Sequence, residues 1–308
     1  SGVAGDAGGI FVSSDQALKL GVMTTSGGTV KISISGALNI TQAITTTAGT
    51  TGVASGAVVL EAGGAITLGT GSITTSSFGN AAAGDVFIHQ VSGNTNTITL
   101  TGAVSAKGGA TGTAGASSDG GKVTVWNEAG AISLDGTIDV SKNASGTNDG
   151  AIRLKASGNI TDTTNASLVG DTNGSLSAYS TGGKITLTQG ATTAGTASGN
   201  LGDGTKGHKL ATVAFKTDTA AGTDGSITYL DQTGLTVGSV TAGATTPVSA
   251  TNANPSSVGA QSGITTVAGT SNGDVKVRAG TGNHALTVSN AITTTAGTTG
   301  VASGAVVL

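Results

Sequence analysis

The chain has 308 residues and a formal net charge of −3 at pH 7, and its composition is unusual, with 54 glycines, 9% charged and 2% aromatic residues. A typical globular domain is about one quarter charged, so an ordinary globular domain is not indicated. Gly/Ser/Thr-rich chains often stay unfolded. Here 36% hydrophobic residues and only two prolines favour a core of small aliphatic side chains instead.

Charge and cysteine content exclude several classes of partner and site. The chain has no basic stripe, so nucleic acid is not an expected partner. It has no cysteine, which excludes a disulfide scaffold and cysteine-ligated metals. No stretch approaches the roughly 18 apolar residues of a membrane span. The chain begins Ser1-Gly2-Val3 without a methionine or signal peptide, and we interpret it as a mature or excised piece.

Two identical segments indicate a long tandem repeat. Residues 43–60 read AITTTAGTTGVASGAVVL, and residues 291–308 read the same, at an offset of 248 residues (43 to 291). We predict that residues 1–308 form one solenoid segment, which holds about one unit of roughly 248 residues plus this overlap.

A shorter motif recurs ten times along the chain. It consists of glycine, any residue, Val or Ile, any residue, and then an apolar residue. Alternation with a period of two predicts a strand, and the leading glycine predicts the turn before it. The ten motifs begin at Gly8, Gly28, Gly56, Gly84, Gly121, Gly150, Gly183, Gly225, Gly273 and Gly304.

Most of these motifs are followed by a second and a third short strand signal. Three short strands separated by turns predict one triangular coil, and helix signals are nearly absent. We therefore predict an all-β right-handed parallel β-helix, a solenoid with three short strands per coil and loop insertions. The second signals are 38–40, 66–68, 98–100, 132–134 and 286–288, and the third are Ile44, Ile73, Val104, Ile138 with Val140, and Ile292.

The spacing between motifs varies, and the surplus residues are predicted loops at one corner of the coil. Insertions on one face of a solenoid often form its binding face, and the alternative is that they are tolerated slack. The predicted loops are residues 50–55, 78–83, 108–120, 143–148, 192–207 and 243–263.

The succession GAVVLEAGGAITLGTGSI at residues 56–73 resembles the repeat regions of filamentous haemagglutinin-like adhesins. Those proteins are exported by two-partner secretion, and relatives occur among autotransporter and giant cell-surface proteins. The resemblance covers nearly the whole chain. It implies a long, secreted extracellular stalk or fibre that acts in adhesion, aggregation or matrix formation.

A search for chemistry finds no catalytic, cofactor-binding or metal-binding pattern. Several aspartates stand in Asp-Gly pairs, which are turn chemistry rather than the paired acids of β-helical polysaccharide enzymes. The Gly207-His208 pair matches an element of such enzymes only faintly. His89, His208 and His284 share no metal-ligand spacing, so we interpret each as a solvated side chain. The repeated nonapeptide of calcium-binding β-rolls does not recur.

Four rings are candidate surface contacts: Phe11, Phe87, Trp126 and Tyr229. In the strand motif Phe11, Phe87 and Trp126 fall at outward positions, where they would stack on sugars or on another rod, or simply cover a neighbouring strand or loop. Tyr229 falls at an inward position. Pairs such as Thr97 and Thr99 are reminiscent of ice-binding ladders, but the sequence does not place them in register from coil to coil.

The function predicted from the sequence is a non-enzymatic structural and adhesive module of a bacterial surface filament. Its expected partners are neighbouring repeats or copies of itself end to end, and host or cell-surface glycans. The alternatives are a polymerising surface-layer or matrix subunit and, less favoured, a polysaccharide-acting enzyme.

Overall fold

A computed structural model describes most of the chain. The described residues are 8–50, 52–79, 81–91, 93–109, 119–143, 146–189, 207–219, 224–241, 258–268, 273–280, 284–296 and 302–308. The predicted loops at 108–120, 192–207 and 243–263 lie largely outside these ranges.

Within the described ranges the regular structure consists of short β-strands. They are β1 (Ile10–Ser14), β2 (Leu18–Leu20), β3 (Met23–Thr24), β4 (Val30–Ile34), β5 (Leu38–Ile40), β6 (Ile44–Thr45), β7 (Val58–Ala62), β8 (Ile66–Leu68), β9 (Ile73–Thr74), β10 (Val86–Gln90), β11 (Ile98–Leu100), β12 (Val104–Ser105), β13 (Lys122–Asn127), β14 (Ile132–Leu134), β15 (Thr137–Asp139), β16 (Ala151–Ala156), β17 (Ile160–Asp162), β18 (Ser167–Val169), β19 (Ser175–Ser180), β20 (Ile185–Leu187), β21 (Thr212–Asp218), β22 (Ile227–Leu230), β23 (Leu235–Val237), β24 (Ser239–Val240), β25 (Gln261–Ser262), β26 (Ile264–Ala268), β27 (Val275–Arg278), β28 (Leu286–Val288), β29 (Ile292–Ala296) and β30 (Val306–Val307).

All of these strands except β24 and β25 stack into three parallel sheets, in which each strand pairs with the strand one coil away. Sheet A runs β1-β4-β7-β10-β13-β16-β19-β21, and there it forks: β23 and then β28 follow on one half of β21, and β26 and then β29 follow on the other. Sheet B runs β2-β5-β8-β11-β14-β17-β20-β22-β27-β30, and sheet C runs β3-β6-β9-β12-β15-β18. The prediction of an all-β parallel β-helix with three short strands per coil is confirmed.

The interior is filled by aliphatic columns that run along the axis. Val30, Val58, Val86, Val123 and Ile152 occupy one inward position on successive strands of sheet A. Ile66, Ile98, Ile132 and Ile160 do the same on sheet B. All these side chains are buried. Near-complete burial of each Val or Ile is worth about 1.5–3 kcal/mol, and stacking is what achieves it.

The leading glycine of the motif is required by close stacking of the coils. A Cβ atom on Gly84 would lie 2.1 Å from the carbonyl oxygen of Gly56, and one on Gly121 would lie 2.5 Å from that of Gly84. Neither glycine has a positive φ. The sequence motif therefore records a backbone contact between coils, in addition to the turn.

At the corner before many of these glycine-led strands, a threonine side chain donates a hydrogen bond to the carbonyl oxygen of the leading glycine. Thr75 Oγ1 donates to the carbonyl oxygen of Gly84 at 2.6 Å, and the Thr75 side chain is buried. At such corners the backbone has no regular strand pairing. The threonine hydroxyl and the glycine carbonyl become hydrogen-bond partners of each other instead. The same bond joins Thr25 to Gly28, Thr46 to Gly56, Thr217 to Gly225, Thr266 to Gly273, and Thr294 to Gly304.

The glycine-led strands change face halfway along the rod. The six motifs from Gly8 to Gly150 form strands of sheet A, whereas those at Gly183, Gly225, Gly273 and Gly304 form strands of sheet B. The change follows from β19 and β21, two sheet A strands that lack the motif. Equating every glycine-led strand with the first strand of a coil is therefore wrong beyond residue 150.

One insertion leaves from within a sheet rather than from a corner. The fork of β21 separates β23 from β26, and the insertion between them begins and ends in the antiparallel pair β24–β25, with Ser239 opposite Ser262. The predicted loops before β7, β10, β13 and β16 each connect sheet C to sheet A, as predicted for one corner. The predicted loop at 192–207 instead follows β20 of sheet B, so the prediction of a single corner for all loops is wrong.

Candidate functional site

A row of polar and aromatic side chains runs along the outer surface of sheet A. Strand pairing places its six members at one outward position of successive strands, and we call them the outer ladder: Glu61, His89, Trp126, Lys155, Tyr179 and Lys216.

The first half of the outer ladder is centred on His89. Its Nδ1 lies 3.3 Å from Glu61 Oε2 and its Nε2 lies 2.9 Å from Glu128 Oε1, so the imidazole bridges two carboxylates. The His89 ring stacks on Trp126 with 4.5 Å between centroids. Lys155 Nζ lies 4.8 Å from the Trp126 ring centroid, a cation–π distance.

The second half of the outer ladder is centred on Tyr179, which is partly exposed. Lys216 Nζ lies 5.0 Å from the ring centroid and 2.6 Å from Asp218 Oδ2, and the Tyr179 hydroxyl donates to the same carboxylate oxygen at 2.7 Å. Partial burial, together with Asp218, raises the pKa of Tyr179 to about 12. Although partial burial opposes the shift, the hydrogen bonds from Lys216 and Tyr179 hold the pKa of Asp218 below its ordinary value.

Two described residues of the insertion, Thr241 and Val258, contact the outer surface of sheet A. Val258 is buried in a separate apolar cluster with Val59, Phe87 and Trp126. Arg153 is also buried, and its Nε donates to the carbonyl oxygen of Thr241 at 2.9 Å. Burial lowers the pKa of the Arg153 guanidinium, and the charge of Asp85 opposes this shift. The residues that flank the insertion thus lie over the middle of the sheet.

The four rings predicted as surface contacts differ in their exposure. Phe11, Phe87 and Trp126 lie at outward positions of sheet A, but only Phe11 is an exposed surface ring, at 70%. Phe87 and Trp126 are buried beneath Val258, and Tyr229 lies wholly in the interior on sheet B. These three rings are therefore not surface contacts: Phe87 and Trp126 follow the alternative, packing against a neighbouring segment, and Tyr229 takes the inward position expected for it.

A polar cluster lies inside the rod near the end of sheet C. We call it the interior polar cluster, and its members are Asp162, His208, Tyr229 and Asp231. The Tyr229 hydroxyl donates to Asp231 Oδ2 at 2.7 Å, and the His208 and Tyr229 rings stack with 5.6 Å between centroids. The side chains of His208 and Asp162 have no exposed surface, and Tyr229 and Asp231 are fully buried.

Hydrogen bonds fix the orientation of His208. Its Nδ1 accepts from the Leu168 backbone N–H at 3.1 Å, so in a neutral imidazole the proton is on Nε2. Nε2 lies 3.1 Å from Asp162 Oδ2 without the alignment of a regular hydrogen bond. Since His89 is buried too, the interpretation of His89 and His208 as solvated side chains is wrong.

Burial governs the acid–base behaviour of this cluster. Desolvation raises the pKa of Asp231, although hydrogen bonds from Thr233 and Tyr229 oppose the shift. Desolvation, with the negative charge of Asp231, also raises the pKa of Tyr229 well above its ordinary value. Among the described residues, no three His, Cys, Asp or Glu side chains are placed to hold a metal ion.

A single hydroxyl column follows the outer surface of sheet B. Thr67, Thr99, Ser133, Thr161, Thr186 and Thr228 are in register on successive strands. The column beside it does not repeat, because Thr97 is flanked by Ala65 and Ala131. The Thr-x-Thr pair is therefore not in register from coil to coil, as expected, although one of its two positions carries Thr or Ser on each of these six strands.

Fold and surface together define the class of this protein as a parallel β-helical solenoid. No protein-family model, curated protein or solved structure matches the chain. No helix in the described part of the chain is long and apolar enough to cross a membrane.

Proposed function

We propose that the chain is a non-enzymatic structural and adhesive module of a secreted bacterial surface filament or stalk, which contacts acidic glycans through sheet A. The observation that carries the proposal is the continuous stack of coils, whose sheets A and B each extend through ten or more strands. At the usual strand spacing such a stack is roughly 45 Å long.

The exposed end of the outer ladder supports the adhesive part of the proposal. Lys155 and Lys216 lie on either side of the partly exposed Tyr179 ring, with Nζ-to-centroid distances of 5.9 and 5.0 Å. An amphipathic ring between two ammonium groups suits a flat, polar ligand with negative charge. The resemblance to filamentous haemagglutinin-like repeats points in the same direction.

The test is binding of the purified chain to immobilised glycans, both acidic and neutral. We expect binding to acidic glycans and its loss in the double variant Lys155→Ala/Lys216→Ala. The matched control is Lys19→Ala/Lys276→Ala, which removes the same charge from the outer positions of sheet B.

Two results would overturn the proposal. Equal loss of binding in both double variants would mean that only net charge matters, and absence of binding by the unmodified chain would remove the adhesive role. Shortening of any of these glycans by the unmodified chain would instead revive the enzyme alternative.

A further inference from the structure

The last coil of the structure has the same sequence as a coil that is covered in the first half. Val58 and Leu60 are completely buried, whereas their counterparts Val306 and Leu308 are 44% and 58% exposed. In the first half, strand β10 lies over β7 and buries it. The chain thus presents one surface twice, once with its neighbouring coil and once without.

The equivalence extends beyond the eighteen identical residues. The offset of 248 residues also relates β5 (Leu38–Ile40) to β28 (Leu286–Val288), and it relates β6 to β29 and β7 to β30. In each pair the apolar residues stand at the same places. We call the surface formed by β28, β29 and β30 the end platform.

The corner bond is kept in both copies. Thr46 Oγ1 donates to the Gly56 carbonyl at 2.5 Å, and Thr294 Oγ1 donates to the Gly304 carbonyl at 2.9 Å. The same hydrogen bond therefore links the two sides of this corner in both copies, although their surroundings differ.

The two copies nevertheless occupy different faces of the rod. Strands β5, β6 and β7 belong to sheets B, C and A, whereas β28 and β29 both belong to sheet A and β30 belongs to sheet B. Both β28 and β29 lie on sheet A because that sheet forks at β21. The same segment thus forms the corner between sheets C and A in the first copy and the corner between sheets A and B in the second.

We propose that the end platform binds a second copy of the coil formed by residues 61–90, as a covalent continuation of the chain, and that this coil lies on the faces of β28, β29 and β30 rather than on the faces it has in the first half. This rests on the proposed function as a rod module. In the first half Ile66 lies on Leu38, Ile73 on Ile44, and Val86 on Val58. The corresponding contacts place the new Ile66 on Leu286, Ile73 on Ile292, and Val86 on Val306.

A separate intact chain does not fit this position. Its own β4, β5 and β6 already pair with β7, β8 and β9 from that side. Only a unit whose first residue corresponds to residue 61 lacks β4, β5 and β6, so its strands are free to pair with the end platform.

The experiment uses a two-unit chain, residues 1–308 followed directly by residues 61–308. Because the protein has no cysteine, engineered pairs report neighbours without background. Adjacent strands lie about 4.8 Å apart, within disulfide range. We expect Thr287→Cys with Thr67→Cys of the second unit to lose both free thiols on mild oxidation.

The competing arrangement has its own pair. If the second unit kept the first unit's faces, its Thr67 would lie beside Val307 on sheet B, so Val307→Cys with that Thr67→Cys would form the bond instead. That result, or failure of both pairs to form a bond, would overturn the proposal.

Hydrogen exchange separates failure of the docking from failure of the rod. We expect the exchange rates of the Val306 and Val307 amides in the two-unit chain to be about one tenth, or less, of their rates in the single chain. Unchanged exchange there, with slow exchange in β7 and β10, would contradict docking while leaving the rod intact. Fast exchange throughout both chains would contradict the rod itself.

Discussion

At the scale of single residues, glycine does most to define this fold. The glycines at the start of the sheet A strands lie directly above one another, and their backbones approach more closely than a Cβ atom allows. The sequence motif thus records a requirement for contact between coils, which a turn alone does not impose.

This requirement predicts the effect of adding one methyl group. Gly84→Ala should destabilise the fold by about 1–3 kcal/mol, because the new Cβ would meet the backbone of Gly56. Gly21→Ala is the matched control, since nothing lies within 4 Å of a Cβ there. Chemical denaturation measures both, and equal stabilities of the two variants would contradict the stacking.

The interior polar cluster gives a prediction about pH. The pKa of Asp231 is raised by burial, so the folded state holds this proton more tightly than the unfolded state does. The contribution of Asp231 to stability is therefore greatest at low pH and falls as pH rises from the ordinary value of 3.8 through the raised pKa. Asp231→Asn removes this dependence.

The measurement is the difference in unfolding free energy between Asp231→Asn and the unmodified chain, taken across acidic to neutral pH. The variant should gain stability relative to the unmodified chain as pH rises. Asp119 and Asp218, whose pKa values are lowered, give the opposite slope in both proteins and cancel in the difference. A difference that stays constant or falls with pH would contradict the account.

At the scale of elements, the sequence predicts strands well and their faces less well. All ten glycine-led motifs are strands, because alternation and a leading glycine are local signals. The motif does not detect strands β19 and β21, because Leu176 stands where it requires Val or Ile and Ala211 stands where it requires glycine. In these neighbouring strands the small Ala178 is paired with the large Phe215 at one inward position.

The candidate site was predicted only in part for a similar reason. Period-two alternation correctly places Phe87 and Trp126 on the outer face of sheet A. Their burial depends on Val258, about 130 residues or more further along the chain, and no local pattern reports such a contact. The interior polar cluster likewise joins three separate segments, which contribute Asp162, His208, and Tyr229 with Asp231.

The covering of sheet A by the insertion has a direct spectroscopic test. Trp126 is the only tryptophan in the chain, so its emission reports this contact. Val258→Ala should shift the emission to longer wavelength and cost about 1–2 kcal/mol of stability, because it uncovers the ring and leaves a gap.

Val22→Ala is the matched control for this experiment, since Val22 is an exposed valine remote from the cluster. It should leave both the emission and the stability close to those of the unmodified chain. An unchanged emission in Val258→Ala would mean that the insertion does not lie over Trp126 in solution.

At the scale of the whole molecule, the rod is a series of nearest-neighbour contacts. Each coil buries its aliphatic side chains only against the coils on either side, so stability grows with the number of stacked coils. The polar and aromatic groups of sheet A and the hydroxyl column of sheet B run lengthwise on different faces. A long repetitive chain with this plan presents the same surfaces at regular intervals along a stiff axis.

The coil stack itself is tested most directly by distances between spin labels on the outer face of sheet B. Cysteines at positions 39, 67, 99, 133, 161 and 228, introduced in pairs that include position 39, place labels on known strands of one column. The account predicts a linear increase of about 4.8 Å per coil, so that Asn39→Cys and Thr228→Cys are roughly 29 Å apart. Distances that do not rise with coil number would contradict the parallel β-helix and the functions proposed from it.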